Sequence, residues 1–240
     1  MNTAIKEFPL RNHTMHLKVS EEELFMPNAV TRLFSRAVAI NSGDIVFDIG
    51  SGIGPLAIWA AKEPSEYVHA VEIVRAQYEL LKENIISNCV QNRVTAYHGE
   101  FFQPIPPGIR ADVIIADVSG IAEGPARALG WYPPEIPTGG EDGTEVIIKL
   151  LEEAGAYMKD NARLYFPVAI GLSDDKKIMQ IAKSRFATLE RKIEASFPLS
   201  PEQLIKIEPY LTIPYIHIER KGSRVTWKGE IYEAISLRTK

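Results

Sequence analysis

The chain has 240 residues, 45% of them hydrophobic and 24% charged, with a formal net charge of −4 and a single cysteine, Cys89. That length can bury a substantial core in one large domain or two small ones, and the composition is ordinary for a globular protein. No run of about 18 apolar residues and no basic-then-apolar leader occurs, so neither a membrane span nor a secretory signal is expected; the lone cysteine fits a cytoplasmic location, and the acidic balance gives no push toward nucleic acid.

Residues 1–43 precede the first strand-like run and end in a helical stretch over 28–39. Their apolar content is too small for a core of their own, so they read as a lid or substrate-shaping extension of a domain covering 44–240. His13 and His16 have helical spacing but no further ligand nearby, so no metal site is expected. From 45 onward, apolar runs over 45–49, 67–73, 93–97, 112–116 and 162–168 alternate with helical patterns over 55–62, 75–87, 144–159 and 174–184. This alternation is the signature of a parallel sheet covered on both faces, a doubly wound α/β fold. In the 144–159 pattern, Ile147, Leu150, Leu151, Ala154 and Met158 share one face, and Asp142 or Thr144 can cap its start. After Phe186 the pattern turns β-like over 188–197, 217–220, 224–228 and 231–237. Arg220, Lys221, Arg224, Trp227 and Lys228 cluster around a turn at Gly222, either as a solvated hairpin or as a contact for nucleic-acid phosphate and base. Trp131, Tyr132, Pro133 and Pro134 sit in a long loop, either walling a pocket or simply packing.

The chemistry concentrates between the first strand and the first helix. The run 45–49 contains Asp48 and is followed by Gly50, Ser51, Gly52, Ile53, Gly54 and Pro55. Glycines suit a sharp turn with unusual φ and the close approach of a ligand. A strand-to-helix loop also offers the unpaired first N–H groups of the helix, and Pro55 suits the first helical turn. A dinucleotide fingerprint would place its third glycine one residue later, which argues against a nicotinamide enzyme. Glu72, at the end of the second strand-like run, is placed for a ribose. Asp48 would repel a pyrophosphate but attract an ammonium group. A ligand with an adenosine end and an amino-acid end is S-adenosylmethionine.

The segment Asp48 to Gly54 with Glu72 resembles the first two motifs of class I S-adenosylmethionine-dependent methyltransferases, and the resemblance covers about residues 25 to 197. Lys82-Glu83-Asn84, His98-Gly99-Glu100-Phe101-Phe102 and Gly139-Gly140-Glu141-Asp142-Gly143 bring it closest to the branch of release-factor glutamine and ribosomal-protein methyltransferases. The resemblance implies a mostly parallel seven-stranded sheet closed by an antiparallel strand. It places cofactor contacts at Asp48, Gly50, Ser51, Gly52, Gly54, Glu72, Ile73, Glu100 and Asp117, with Asp48 near the methionine ammonium and Glu100 near the adenine amino group. Taken alone, Glu100 fits a solvated loop charge equally well. Where that branch carries Asn-Pro-Pro-Tyr, this chain has Asp117-Val118-Ser119-Gly120. An ionised aspartate cannot donate as an amide does, but it can accept from an amine or hydroxyl and act as a base, which makes Asp117 the candidate catalytic residue. The expected reaction is methyl transfer to an amine or hydroxyl of a small molecule or protein. A tRNA or rRNA methyltransferase is the alternative, disfavoured by the acidic balance.

Overall fold

The computed structural model describes residues 3–20, 26–222 and 224–237. The chain opens with an antiparallel hairpin of β1 (Thr3–Leu10) and β2 (His13–Ser20), in unbroken register from Thr3 opposite Ser20 to Leu10 opposite His13. Phe8, Leu10, Met15, Leu17 and Val19 are buried. His13 and His16, whose spacing suits a helix, therefore lie on a strand. Helix α1 (Ala29–Ala37) follows, capped by Asn28 and closed by a capping box with Thr31. Next come β3 (Ile45–Ile49), α2 (Pro55–Lys62), β4 (Tyr67–Glu72), α3 (Arg75–Ser87), β5 (Val94–His98) and β6 (Ala111–Ile115). The remaining elements are α4 (Glu123–Ala128), α5 (Glu145–Glu153), β7 (Met158–Ile170), α6 (Asp175–Arg185), β8 (Phe186–Pro198), α7 (Pro201–Ile207), β9 (Glu219–Lys221) and β10 (Arg224–Leu237).

The chain divides into two compact units, Met1–Asp117 with Glu153–Tyr165, and Val118–Glu152 with Phe166–Lys240. The first unit holds a parallel sheet in the order β5-β4-β3-β6-β7. Its strands are apolar without alternation because both faces are covered; Val46, Phe47, Val68, Ala70, Val113, Ile114 and Ile115 are all buried. Helix α2 is buried from Pro55 to Ala61, with Trp59 fully enclosed. In the second unit β10 pairs antiparallel with β8 and β9, in the order β7-β10-β8.

From β3 to β10 the described residues form eight strands rather than seven, the extra one being the three-residue β9. The runs 224–228 and 231–237 form one strand, β10, because Gly229 continues the ladder instead of turning it. A Cβ on Gly229 would lie 2.8 Å from a Phe197 ring carbon, so this glycine serves close packing. Helix α5 stops at Glu153, before Gly155, and passes through a 3₁₀ turn into β7 at Met158. Strand β7 begins earlier than its apolar run because Asn161, at φ 61°, lets the ladder shift past the polar residues 159–161.

Two asparagines fasten the hairpin to α3. Asn84 accepts from Lys18 N–H at 2.6 Å and donates to Lys18 C=O at 3.1 Å; Asn88 accepts from His16 N–H at 3.1 Å and donates to His16 C=O at 2.8 Å. Four helical residues rise about 6 Å and two strand residues about 6.7 Å. Side-chain amides at i and i+4 can therefore stand in for a neighbouring strand and cover the edge of β2. Asn84 also donates to Ile53 C=O at 2.9 Å, so the same side chain braces the glycine loop.

Candidate functional site

Strand β3 is flanked by β4 and β6, with Asp48 in register with Ala70 on one side and Ile115 on the other. The loop beyond it leaves the carboxyl end of a central parallel strand, where open α/β sheets bind ligands. Gly50, Gly52 and Gly54 all take positive φ, at 72°, 56° and 97°. Gly50 and Ser51 donate to Val71 C=O at 3.0 Å each, and Gly54 is the N-cap of α2 with Pro55 just inside it. A Cβ on Gly54 would come within 2.6 Å of Leu81 Cδ1, and Leu81 is fully buried. Gly54 thus permits both the turn and the packing of α2 on α3. Gly54→Ala is expected to cost about 2–3 kcal/mol from positive φ and overpacking together, read as a lower urea midpoint.

The carboxylates differ in what holds them. Asp48 is 1% exposed and neither side-chain oxygen has a hydrogen-bond partner; the Ser51 hydroxyl donates instead to Asp48 C=O at 2.7 Å. Burial pushes the Asp48 pKa up to about 7; the nearby Ser51 and Ala57 groups oppose the rise, and the Asp117 carboxylate adds to it. The amide nitrogen of buried Gln77, also beside the loop, has no partner either. Glu72 accepts from Gly52 N–H at 2.8 Å and Val74 N–H at 2.7 Å, which ties the end of β4 to the glycine loop. Burial nevertheless raises its pKa, against those bonds. Ile73, the next residue, is 46% exposed, a large apolar side chain beside a charged one. Asp117 follows β6, and its Oδ2 accepts from the Thr31 hydroxyl at 2.7 Å. Burial pushes its pKa up to about 6, with the Thr31 bond opposing. Glu100 lies in the turn after β5, partly buried. Asp48, Glu72, Ile73, Glu100, Asp117 and the loop all belong to the first unit.

Residues 12–124 match the family model of the TRM5/TYW2 methyltransferase domain. A release factor glutamine methyltransferase of Bacillus cereus is 30% identical over 145 residues, a match covering 57% of this chain and 50% of that protein. The chain therefore spans about half the length of the curated relatives it matches. Among solved structures, the M. jannaschii tRNA m1G37 methyltransferase superposes with a TM-score of 0.59 at 13% identity, over 99% of this chain and 56% of that one. P. horikoshii TYW2 in complex with MeSAdo gives 0.55 at 16%, over 96% of this chain and 71% of the other. The chain shares the fold of these methyltransferases, and its match to the TRM5/TYW2 family model lies within residues 12–124.

Two features around the candidate site were not visible in the sequence. Thr31, from the extension, bonds the candidate catalytic carboxylate across 86 residues of sequence. Arg127 organises the loop after α4, donating to the main-chain carbonyls of Tyr132 (2.9 Å), Pro133 and Ile136 (3.1 Å). Trp131 in that loop packs on Trp227 with ring centroids 5.5 Å apart, and Trp227 stacks on Phe197 at 4.7 Å. Trp227 is buried, so the Gly222 hairpin has no exposed aromatic there for a nucleic-acid base. Lys228 of the same hairpin is paired with Glu219 at 2.6 Å. Gly139 and Gly143 pack against each other, and Asp142 holds Thr144 N–H at 3.0 Å and Lys177 Nζ at 2.6 Å. That loop serves the start of α5. Among the described residues no cluster of three or more His, Cys, Asp or Glu is arranged for a metal, and no helix is long and apolar enough to cross a membrane.

Proposed function

We propose that the protein is an S-adenosylmethionine-dependent methyltransferase acting on an amine or hydroxyl of a small molecule or a protein. The observation that carries the reading is Asp48: a buried carboxylate without a hydrogen-bond partner, at the mouth of a glycine loop, is what a ligand ammonium requires. Glu72 supplies acceptor oxygens for ribose hydroxyls, and Ile73 an apolar surface for adenine. The loop residues Gly50, Ser51, Gly52 and Gly54 leave room for the amino-acid end, with the Gln77 amide as a spare donor. Glu100 completes the adenine end.

The cofactor, when bound, supplies an activated sulfonium methyl. The protein then has to hold the acceptor in line, exclude water and accept a proton, and orientation alone is worth several orders of magnitude. Asp117 is the group that accepts that proton in this reading. Residues 1–43 take part through Thr31, in keeping with an extension that shapes the acceptor end. Calorimetry with S-adenosylmethionine and S-adenosylhomocysteine tests the cofactor; no heat at millimolar ligand would sink the reading. Glu72→Ala is expected to weaken binding by about 1–3 kcal/mol, since it removes a charged acceptor together with a brace of the loop.

A second reading, methylation of a tRNA or rRNA base, is favoured by the TRM5/TYW2 family match and the M. jannaschii tRNA enzyme. The net charge of −4 weighs against it. Incubation with methyl-labelled cofactor and a cell extract separates the readings by whether label enters small molecules, protein or RNA.

A further inference from the structure

The partner of Asp117 is itself hydrogen-bonded in a way that fixes where its proton points. Thr31 Oγ1 donates to Asp117 Oδ2 at 2.7 Å, and the same oxygen accepts from Asn28 N–H at 3.3 Å as the return half of the capping box that starts α1. The Asn28 N–H takes one lone pair of the hydroxyl and so fixes the oxygen, whose one proton is directed to the ionised Asp117. Thr31 is 2% exposed, and water does not compete for it. Oδ2 is thereby held as an acceptor, and Oδ1 is left as the oxygen that can receive a proton.

We infer that Thr31 is a positioning residue that presents Asp117 as an ionised base, with Oδ1 available to an acceptor bearing N–H or O–H. This inference rests on the methyltransferase reading above and narrows its substrate class. A primary or secondary amine or a hydroxyl has a proton to give; a thioether or tertiary amine has none and leaves Oδ1 without a role. The proton given up by the nucleophile is taken at Oδ1, and Asp117 becomes neutral as it does so.

Asp117 acts on Asp48, from β3, as a like charge that raises the Asp48 pKa, so the two carboxylates are electrostatically linked. For Asp117 itself, burial favours protonation and the Thr31 hydroxyl, from α1, favours the ionised form.

The test follows the Asp117 carboxyl directly, by ¹³C NMR titration of the aspartate-labelled 240-residue chain, with the signal assigned through Asp117→Asn. Thr31→Val is expected to move the Asp117 midpoint upward from about 6 by about one pH unit, the size of a single hydrogen bond to the charged form. Thr31→Ser should restore it. Asn28→Ala, which cuts the other half of the capping box and keeps the hydroxyl, should leave the midpoint near that of the parent. Binding of S-adenosylhomocysteine should stay within about twofold in Thr31→Val, because Asp48, Glu72 and the glycine loop are untouched and Asp117 stays in place. An unmoved midpoint in Thr31→Val, or an equal movement in Asn28→Ala, would overturn the inference and reduce Thr31 to a helix cap. If the parent protein itself fails to bind S-adenosylhomocysteine, the methyltransferase reading fails instead, whatever the titration shows.

Discussion

Asp48→Asn is expected to abolish measurable S-adenosylmethionine binding and, at pH 8, to stabilise the ligand-free protein. The two effects have one cause. An ionised Asp48 is buried with no partner, so the ligand-free fold carries an uncompensated charge that the ligand's ammonium would neutralise. Removing the carboxylate from such a pair costs about a hundredfold or more in affinity. The stability change depends on pH in a definite sense. Burial raises the folded-state pKa to about 7, against about 3.9 for the unfolded chain. Between about pH 4 and 7 the unfolded chain has lost this proton while the folded protein keeps it, so stability falls as pH rises through that window. The penalty is complete above pH 7, at an upper limit of about 4 kcal/mol. The asparagine escapes the charge penalty but leaves a buried amide, so the net gain at pH 8 should be about 2 kcal/mol. At pH 4, where the parent is protonated in the fold, the gain should vanish. Urea unfolding at both values checks this, and an equal effect at both would show that Asp48 bears no uncompensated charge. In the parent, affinity for S-adenosylmethionine should drop about tenfold per pH unit below pH 7, because a proton must leave before the ammonium can pair.

The elements that were legible in the sequence are those whose signals are local. Pro55 marks the start of α2, and β3, α2 and α3 run over the ranges that their apolar periodicity outlines. The candidate site could be outlined for the same reason: Asp48, the three glycines and Glu72 lie within 25 consecutive residues on one strand–helix–strand unit. What could not be read depends on partners far along the chain. Thr31 looks like an ordinary helix-start residue until the fold brings Asp117 to it. Asn84 and Asn88 would pass for exposed helix residues, yet both are buried, because the edge of β2 needs hydrogen bonds that side-chain amides can supply. The hairpin itself left a trace, the alternation of Met15, Leu17 and Val19. The competing histidine spacing and the lack of a turn glycine concealed it, since Arg11 takes the left-handed turn position at φ 47°.

Asp117→Asn is expected to lower turnover about a hundredfold or more while changing cofactor affinity little, if Asp117 accepts the nucleophile's proton. The asparagine is nearly the same size, and its amide oxygen can still accept from Thr31, so the site should keep its shape. What is lost is the ability to take a proton, which matters only as the new bond forms, and a change confined to the transition state appears in kcat. The pH dependence separates Asp117 from Asp48. At saturating cofactor, kcat in the parent should rise with pH to a plateau with a midpoint near 6, where the Asp117 carboxyl ionises. The ratio kcat/KM for the cofactor should bend near 7 instead, because it also reports Asp48 in the free protein. Asp117→Asn should erase the lower midpoint and leave the upper one. Gain of activity toward a release-factor glutamine in that variant would instead place the protein's chemistry with its amide-methylating relatives. Unchanged kcat would leave Asp117 with only the task of anchoring α1 through Thr31.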